Sequence, residues 1–142
     1  MADTPLVITI LTDADSIADA AFLDSWKTLA DRCPWATCFQ RPGFVVTWYG
    51  AYRTTYKPHL ICGWRGDGLE GVLPLGVALA DGKPVVAGIS QAEYQSWLAA
   101  PSDNGVFVAL ALRAFDADFP EADLTFRYLP HGTPSDHLAA AG

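Results

Sequence analysis

The sequence predicts an α/β chain of the α+β type, with a twisted, mostly antiparallel sheet flanked by about three helices. Residues 69–79 alternate apolar with small or polar side chains, which is the period of a strand with one buried face. Residues 17–33 repeat large apolar side chains at helical spacing. Between two strand-like runs, RGDG at residues 65–68 is typical of a hairpin turn. The length of 142 residues suits one domain.

The first part of the chain predicts one strand and two helices. Residues 5–11 alternate as a strand, and residues 17–33 and about 41–55 carry the helical stripes. Capping and helix-breaking residues mark the ends of these helices: Asp13, Asp15 and Ser16 before the first, Pro34 after it, Pro42 in the first turn of the second, and Pro58 beyond it. Trp26 belongs to the first stripe, and we expect it in the core together with Leu73 and Leu75.

A three-strand meander follows, with strands at residues 59–64, 69–79 and 85–89. Pro74 lies inside the second strand and cannot donate to a ladder, which predicts a bulge or a partly unpaired edge there. Gly66 and Gly68 serve the hairpin turn before that strand. If the φ angle of Gly68 is positive, its replacement by alanine destabilises the fold.

The last part of the chain is less regular. Residues 90–104 fit either a loop or a short helix, residues 105–115 show helical spacing, and residues 123–129 alternate as a final strand. Small and polar residues then predominate. We therefore expect a domain over residues 1–130 and a linker or disordered tail over residues 131–142.

Composition excludes several functional classes. The formal net charge is −7 and the few basic residues are scattered, so nucleic-acid binding is not expected. No apolar run is long enough to span a bilayer, and the N-terminus lacks the pattern of a signal peptide. Cys33, Cys38 and Cys62 have no zinc-site spacing, and we expect them to be reduced, buried side chains in a cytoplasmic protein.

Two aromatic segments are the candidate binding regions. Trp35 and Phe39 lie beside Gln40 in the loop before the second helix, where they either line a cleft or only fasten the loop to the core. Tyr94 and Trp97 would share one face of a helix. The predicted substrate-binding set, suited to a sugar or a peptide stem, is Phe39, Gln40, Gln91, Tyr94 and Trp97. The alternative is that the aromatic pair packs against a second domain.

The histidines and the acidic cluster of the sequence do not predict a catalytic or metal-binding site. His59, His131 and His137 are far apart, and no serine or cysteine lies at an elbow-like turn, so no catalytic residue is named. Asp116, Asp118, Glu121 and Asp123 are expected to be solvated loop charges, and no metal site is predicted.

The order of elements and several segments together resemble a known fold. The residues that carry the resemblance are Trp26, Leu29, Pro34, Thr37, Phe39, Gln40, Trp48, Tyr52, Gly71, Leu73, Pro74, Leu75, Tyr94, Trp97 and Leu98. Over about residues 20–130 the chain is similar to the opening domain of the CelD-type family. These are tandem proteins of the GNAT acyltransferase fold, linked to cellulose biosynthesis and related to FemAB-like peptidoglycan aminoacyltransferases.

The resemblance implies an N-acyltransferase half on the substrate side, acting on a small amine-bearing substrate of the cell envelope or of a polysaccharide. GNAT proteins hold the pyrophosphate of acyl-CoA on a Gly-rich loop that opens a helix. Residues 63–68 have glycines but lie in a hairpin, and residues 87–97 have none of the required pattern, so no cofactor is expected in this chain. Acetyl-CoA or another acyl-CoA is expected for the full tandem protein.

The family's second GNAT domain is expected to lie outside this chain, which would then be a truncated product or a half-protein that works beside a partner. Self-association, or pairing with a partner GNAT half, would use Trp35, Phe39, Tyr94 and Trp97, because exposed aromatics of this kind mark interfaces. The alternative function is a non-catalytic, degenerate GNAT half that acts as a protein-interaction or ligand-binding module.

Overall fold

The computed structural model describes residues 4–141. In chain order its elements are β1 (Leu6–Leu11), α1 (Ala14–Ile17), α2 (Ala20–Arg32), a 3-10 turn (Cys38–Gln40), α3 (Pro42–Ala51), β2 (Tyr56–Arg65), β3 (Gly68–Ala78), β4 (Pro84–Val86), β5 (Leu98–Ala99), α4 (Val106–Asp118) and α5 (Ser135–Ala141). The α+β class and the mostly antiparallel sheet are confirmed. Over the described residues the helices number five, of which α2, α3 and α4 are the longer ones.

The sheet has the order β1-β2-β3-β4, and its pairings are antiparallel. β5 also pairs with β3, where Val72 lies opposite Leu98, whereas β4 pairs further along β3, where Gly76 lies opposite Val85. β4 and β5 therefore share the fourth position of the sheet as one interrupted strand. The chain between them, residues 87–97, leaves the sheet, and we call it the 87–97 loop.

Side-chain caps fix the beginnings of α1 and α2, whereas α3 begins without one. The carboxylate of Asp13 accepts the N–H of Ser16 at the start of α1, and Asp19 does the same for Phe22 at the start of α2. α3 begins at Pro42, as predicted, because its first turn needs no N–H from that residue. These starts orient the apolar stripes of α2 and α3 toward the sheet.

The core has two layers, one on each face of the sheet. α2 and α3 cover one face, where Phe22 packs on Trp64 and Trp48 lies against Gly76. α4 covers the other face. The predicted core residues Trp26, Leu73 and Leu75 are each fully buried, which confirms that part of the analysis.

Two glycines of the sheet, Gly63 and Gly71, allow α4 to pack closely against it. A Cβ atom on Gly71 would lie 2.1 Å from a ring carbon of Phe107, and one on Gly63 would lie 2.5 Å from the same ring. Phe107 is fully buried in the first turn of α4. The missing side chains therefore set how closely α4 approaches β2 and β3.

Two strand predictions are wrong in whole or in part. Residues 123–129 form no strand, since Tyr128 has a φ of 51° and the backbone of Arg127 bonds to Gln95 instead of to a neighbouring strand. The third strand of the meander ends at Val86, because Gly88 turns the chain away with a φ of 90°.

Three smaller predictions also differ from the structure. In the hairpin, the positive φ belongs to Gly66, at 61°, and not to Gly68, so Gly66 is the position where a side chain would be strained. Cys33 and Cys62 are buried as expected, but Cys38 is exposed in the 3-10 turn. Within residues 131–142, α5 forms, and its Leu138 packs against the core.

Candidate functional site

The 87–97 loop is held in place by side-chain amides. Gln95 is buried; its N–H donates to the Arg127 oxygen at 3.1 Å, and its Oε1 accepts the Arg127 N–H at 2.9 Å. Its Nε2 donates to the Ile89 oxygen at 3.1 Å. A single glutamine thus ties the loop to itself and to residues 123–129. The role of Gln95 was not predicted, because an amide in a polar segment gives no signal that it will be buried.

Gln40 makes the second tie. It is 1% exposed, and its Oε1 accepts hydrogen bonds from the N–H and the hydroxyl of Thr37 at 2.8 and 2.9 Å. Its Nε2 donates to the Tyr94 oxygen at 3.1 Å, and its own carbonyl accepts from Trp26 at 2.8 Å. Every polar atom of the Gln40 side chain therefore bonds to protein, which leaves none of them facing a ligand.

Gln91 joins the loop to α3. Its Oε1 accepts from Nε1 of Trp48 at 3.0 Å, and its Nε2 donates to the hydroxyl of Tyr52 at 2.9 Å. The Gln91 side chain is exposed and its bond to Tyr52 lies at the surface, whereas its bond to the buried Trp48 is partly covered. Phe39 is half-buried and packs edge-on against Phe44 with the ring centres 5.1 Å apart.

Trp97 lies inside the core and is 1% exposed. Its ring meets Trp35 at 6.0 Å and Phe126 at 5.8 Å between centres, and the Trp35 indole N–H donates to the Trp97 oxygen at 2.7 Å. Tyr94 is 37% exposed, and the segment between it and Trp97 is not helical. The prediction that Tyr94 and Trp97 share one face of a helix is therefore wrong.

Tyr94 is the member of the predicted set that lines a cavity. The cleft has a volume of about 550 Å³ and is lined by Pro34, Trp35, Ala36, Thr37, Tyr94, Leu129, Pro130 and His131. We call it the Tyr94 cleft. His131 is exposed there and makes no hydrogen bond within residues 4–141. The cleft thus combines aromatic and apolar walls with one imidazole, a composition suited to a small ligand with a polar end.

The backbone N–H groups at the N-terminus of α4 could bind an anion, but here they are bonded to a side chain of the protein. The carboxylate of Asp103 accepts the N–H of Phe107 at 3.0 Å and that of Gly105 at 3.1 Å. Burial raises the pKa of Asp103, an effect that the two N–H groups oppose. The His137 ring of α5 lies against Gly105 from outside. A phosphate would have to displace a carboxylate and part of a helix.

His59, buried in β2, lies beside the exposed Asp118 at the end of α4. His59 is 7% exposed, and its Nε2 lies 3.4 Å from a carboxylate oxygen of Asp118, without the alignment of a hydrogen bond. The Phe119 ring covers the imidazole edge-on at 5.0 Å. Burial lowers the pKa of His59, Asp118 opposes the shift, and Lys57 adds to it.

The lowered pKa of His59 predicts acid sensitivity. A group whose pKa is lower in the folded state contributes stability that is present above its unfolded pKa, near 6.5, and that is lost as pH falls. We expect the free energy of unfolding to decrease between about pH 7 and pH 5, and to decrease less in His59→Gln. Urea titrations at both pH values measure this. An equal decrease in His59→Gln and in His131→Gln, a matched exposed control, would assign the effect elsewhere.

Within residues 4–141, no group of three or more histidine, cysteine, aspartate or glutamate side chains is placed to hold a metal ion. The same stretch contains no helix whose length and apolar character would let it cross a membrane. Comparison with protein-family models, with curated proteins and with solved structures gives no match to this chain.

Proposed function

We propose that this chain is the substrate-side half of a GNAT-like N-acyltransferase. It holds a small amine-bearing molecule of the cell envelope or of a polysaccharide in the Tyr94 cleft, in the cytoplasm, while another domain or chain presents the acyl donor. The attacking atom is the substrate amine, which displaces the thiol of an acyl thioester directly. His131 is the base in the cleft that accepts the proton released from the amine.

The observation that carries this division of labour is the closed N-terminus of α4. Backbone N–H groups at a helix start are the usual cradle for a pyrophosphate. Here those of Gly105 and Phe107 already bond to Asp103. A second anion at that place would meet the charge of the carboxylate at short range. The chain is therefore poorly suited to bind an acyl-CoA by itself, and a donor site elsewhere agrees with a tandem protein.

The acceptor side is supported by the way in which the Tyr94 cleft is built. Its walls come from the loop before α3, from the 87–97 loop and from the segment after residue 123, and Gln40 and Gln95 fix these parts to one another. A cleft between segments that buried hydrogen bonds hold together is preformed, which lowers the entropy lost on binding.

A non-catalytic module is the second candidate. The closed α4 N-terminus is compatible with it, because a domain that binds no acyl donor performs no transfer alone. The two candidates differ in what the Tyr94 cleft binds: the acyltransferase half takes a small amine, whereas an interaction module leaves the cleft empty.

Calorimetry and NMR together test the proposal. We expect acetyl-CoA to give no saturable heat, and a panel of amino sugars and stem-peptide amines to include a ligand that shifts the Trp35 indole signal. Tyr94→Ala removes that binding, whereas Tyr128→Ala, also an exposed tyrosine but outside the cleft lining, preserves it. Low-micromolar binding of acetyl-CoA would refute the division between the halves. An amine panel without any effect on the cleft would leave the interaction module.

A further inference from the structure

The outer edge of β1 is open. β1 pairs with β2 on one side, and among the described residues no further backbone bond to Leu6–Leu11 extends the sheet on the other side. The Arg65 guanidinium and the Trp64 indole reach only Thr4 and the Thr9 hydroxyl. An edge strand of this kind presents unpaired N–H and C=O groups to any strand that can approach.

The direction of those groups follows from bonds in the centre of the sheet. The N–H of Ala78 donates to Lys83 and the N–H of Ala87 donates to Pro74, so even-numbered residues of β3 point their backbone groups toward β4. Odd-numbered ones point toward β2, as the bond from Leu79 to Thr55 shows. In an antiparallel ladder, this alternation passes from strand to strand.

The alternation continues through β2 to the edge. Val77 lies opposite Lys57, so odd-numbered residues of β2 face β3, and even-numbered ones such as Cys62 face β1. Cys62 lies opposite Thr9, so the odd-numbered residues of β1 are paired with β2. The N–H and C=O groups of Leu6, Ile8 and Ile10 therefore point outward from the sheet.

This edge has none of the features that usually prevent pairing. The sequence LVITIL has no charged residue, no proline and no glycine. The side chains of Leu6, Ile8 and Ile10 are half-buried on the α4 side, and Val7 is 53% exposed on the other. A strand added here would cover apolar surface on both faces of the sheet.

We infer that β1 pairs antiparallel with β1 of a second copy of this chain, so that two sheets join into one continuous sheet. A twofold axis perpendicular to a sheet places a residue opposite itself. With Ile8 on the axis, Leu6 lies opposite Ile10 of the second copy, and all three outward-facing residues find partners. The side chains that meet on the α4 side are then Leu6, Ile8 and Ile10 of both copies.

Charge also favours a second copy of this chain over an unrelated strand. In this register Thr4 faces Thr12 of the second copy. Arg65, held at the Thr4 carbonyl, then lies at the same end of the interface as Asp13 of the second copy, which is an exposed helix cap. Two such pairs form by symmetry. In a chain of net charge −7, a basic group placed next to the acidic turn of the second copy is a specific attraction.

The first experiment measures mass in solution across a protein concentration series by light scattering. We expect the full chain to reach the mass of a dimer. Ile8→Pro should stay monomeric, because proline removes an outward N–H without removing a bond to β2. Circular dichroism checks that the variant is folded. A full chain that stays monomeric throughout overturns the inference, as does a folded Ile8→Pro variant that dimerises like the wild type.

The second experiment tests the register without depending on proline. In a Cys38→Ser background, Val7→Cys and Thr9→Cys are made in separate chains. These positions lie opposite each other in the inferred pairing, at roughly the 4.5 Å Cα separation of a non-hydrogen-bonded pair, which a disulfide can bridge. We expect oxidised dimers from the mixture and not from either chain alone. A dimer that forms no such crosslink uses another surface, and the inference then fails. This test is independent of the proposed acyl transfer.

Discussion

Gly71→Ala is expected to destabilise the fold by about 3 kcal/mol, the upper part of the range for overpacked cores. The new Cβ would lie 2.1 Å from the ring of Phe107, a fully buried side chain with sheet on one side and helix on the other. Neither β3 nor α4 can withdraw without disturbing the packing around it. Chemical denaturation of the variant beside the wild type measures the loss.

Two further variants make that result specific. Phe107→Leu removes ring atoms, so the double variant should lose less stability than the two single losses combined. Gly50→Ala serves as the matched control, because a Cβ there meets nothing within 4 Å and α3 gains a better helix former. Additive losses in the double variant would show that Phe107 does not set the cost of a side chain at Gly71.

Gln40→Leu should cost about 2–4 kcal/mol, because it leaves the Thr37 N–H and the Tyr94 oxygen without their partners. The similar size of leucine keeps the volume filled, so the loss reports the hydrogen bonds and not a cavity. We also expect Tyr94 to become more mobile, since the bond from Gln40 fixes its backbone. Urea denaturation measures the first effect, and NMR relaxation of the Tyr94 amide measures the second.

Gln91→Leu is the control for this variant. Gln91 also makes two side-chain hydrogen bonds, but its side chain is exposed, so water can replace it at the surface hydroxyl of Tyr52 and only the Trp48 N–H is left partly buried. Its replacement should cost less than about 1 kcal/mol. If both glutamine variants lose the same stability, burial is not what makes Gln40 important.

Periodicity was sufficient to predict the longer helices and strands, but it did not predict α1, β5 or α5. Alternation identified β3, helical spacing identified α2 and α3, and Trp26, Leu73 and Leu75 were placed correctly in the core. These signals are local, and the predictions hold because the apolar residues that set the local pattern are also the ones buried in the tertiary structure. The extended segment around Arg127 has the alternation of a strand, but its backbone bonds to the main chain and the side chain of Gln95 and not to a neighbouring strand.

The candidate site was harder to predict for the same reason. The identity of an aromatic or amide residue does not show whether its side chain lines a cleft or is buried behind it. Trp97 and Gln40 were expected at a binding surface, and both are buried, where the tryptophan packs and the amide forms hydrogen bonds. Tyr94 does line a cleft. What separates these cases is the path of the 87–97 loop, which is set by contacts between residues far apart in the chain.

Because the fourth strand is interrupted, one part of the chain unfolds only globally and another part can open locally. β2 and β3 are joined by a long ladder, so their amide protons should exchange with solvent only when the whole chain unfolds. Residues 88–94 of the 87–97 loop are tied to the rest of the fold by the side chains of Gln40 and Gln91, whereas Trp97 at the end of the loop is packed in the core. The 88–94 part can therefore move while the β2–β3 ladder and the contacts of Trp97 stay intact. Tyr94 can therefore shift at the edge of the otherwise preformed cleft as a local event, at a free-energy cost below that of unfolding the sheet.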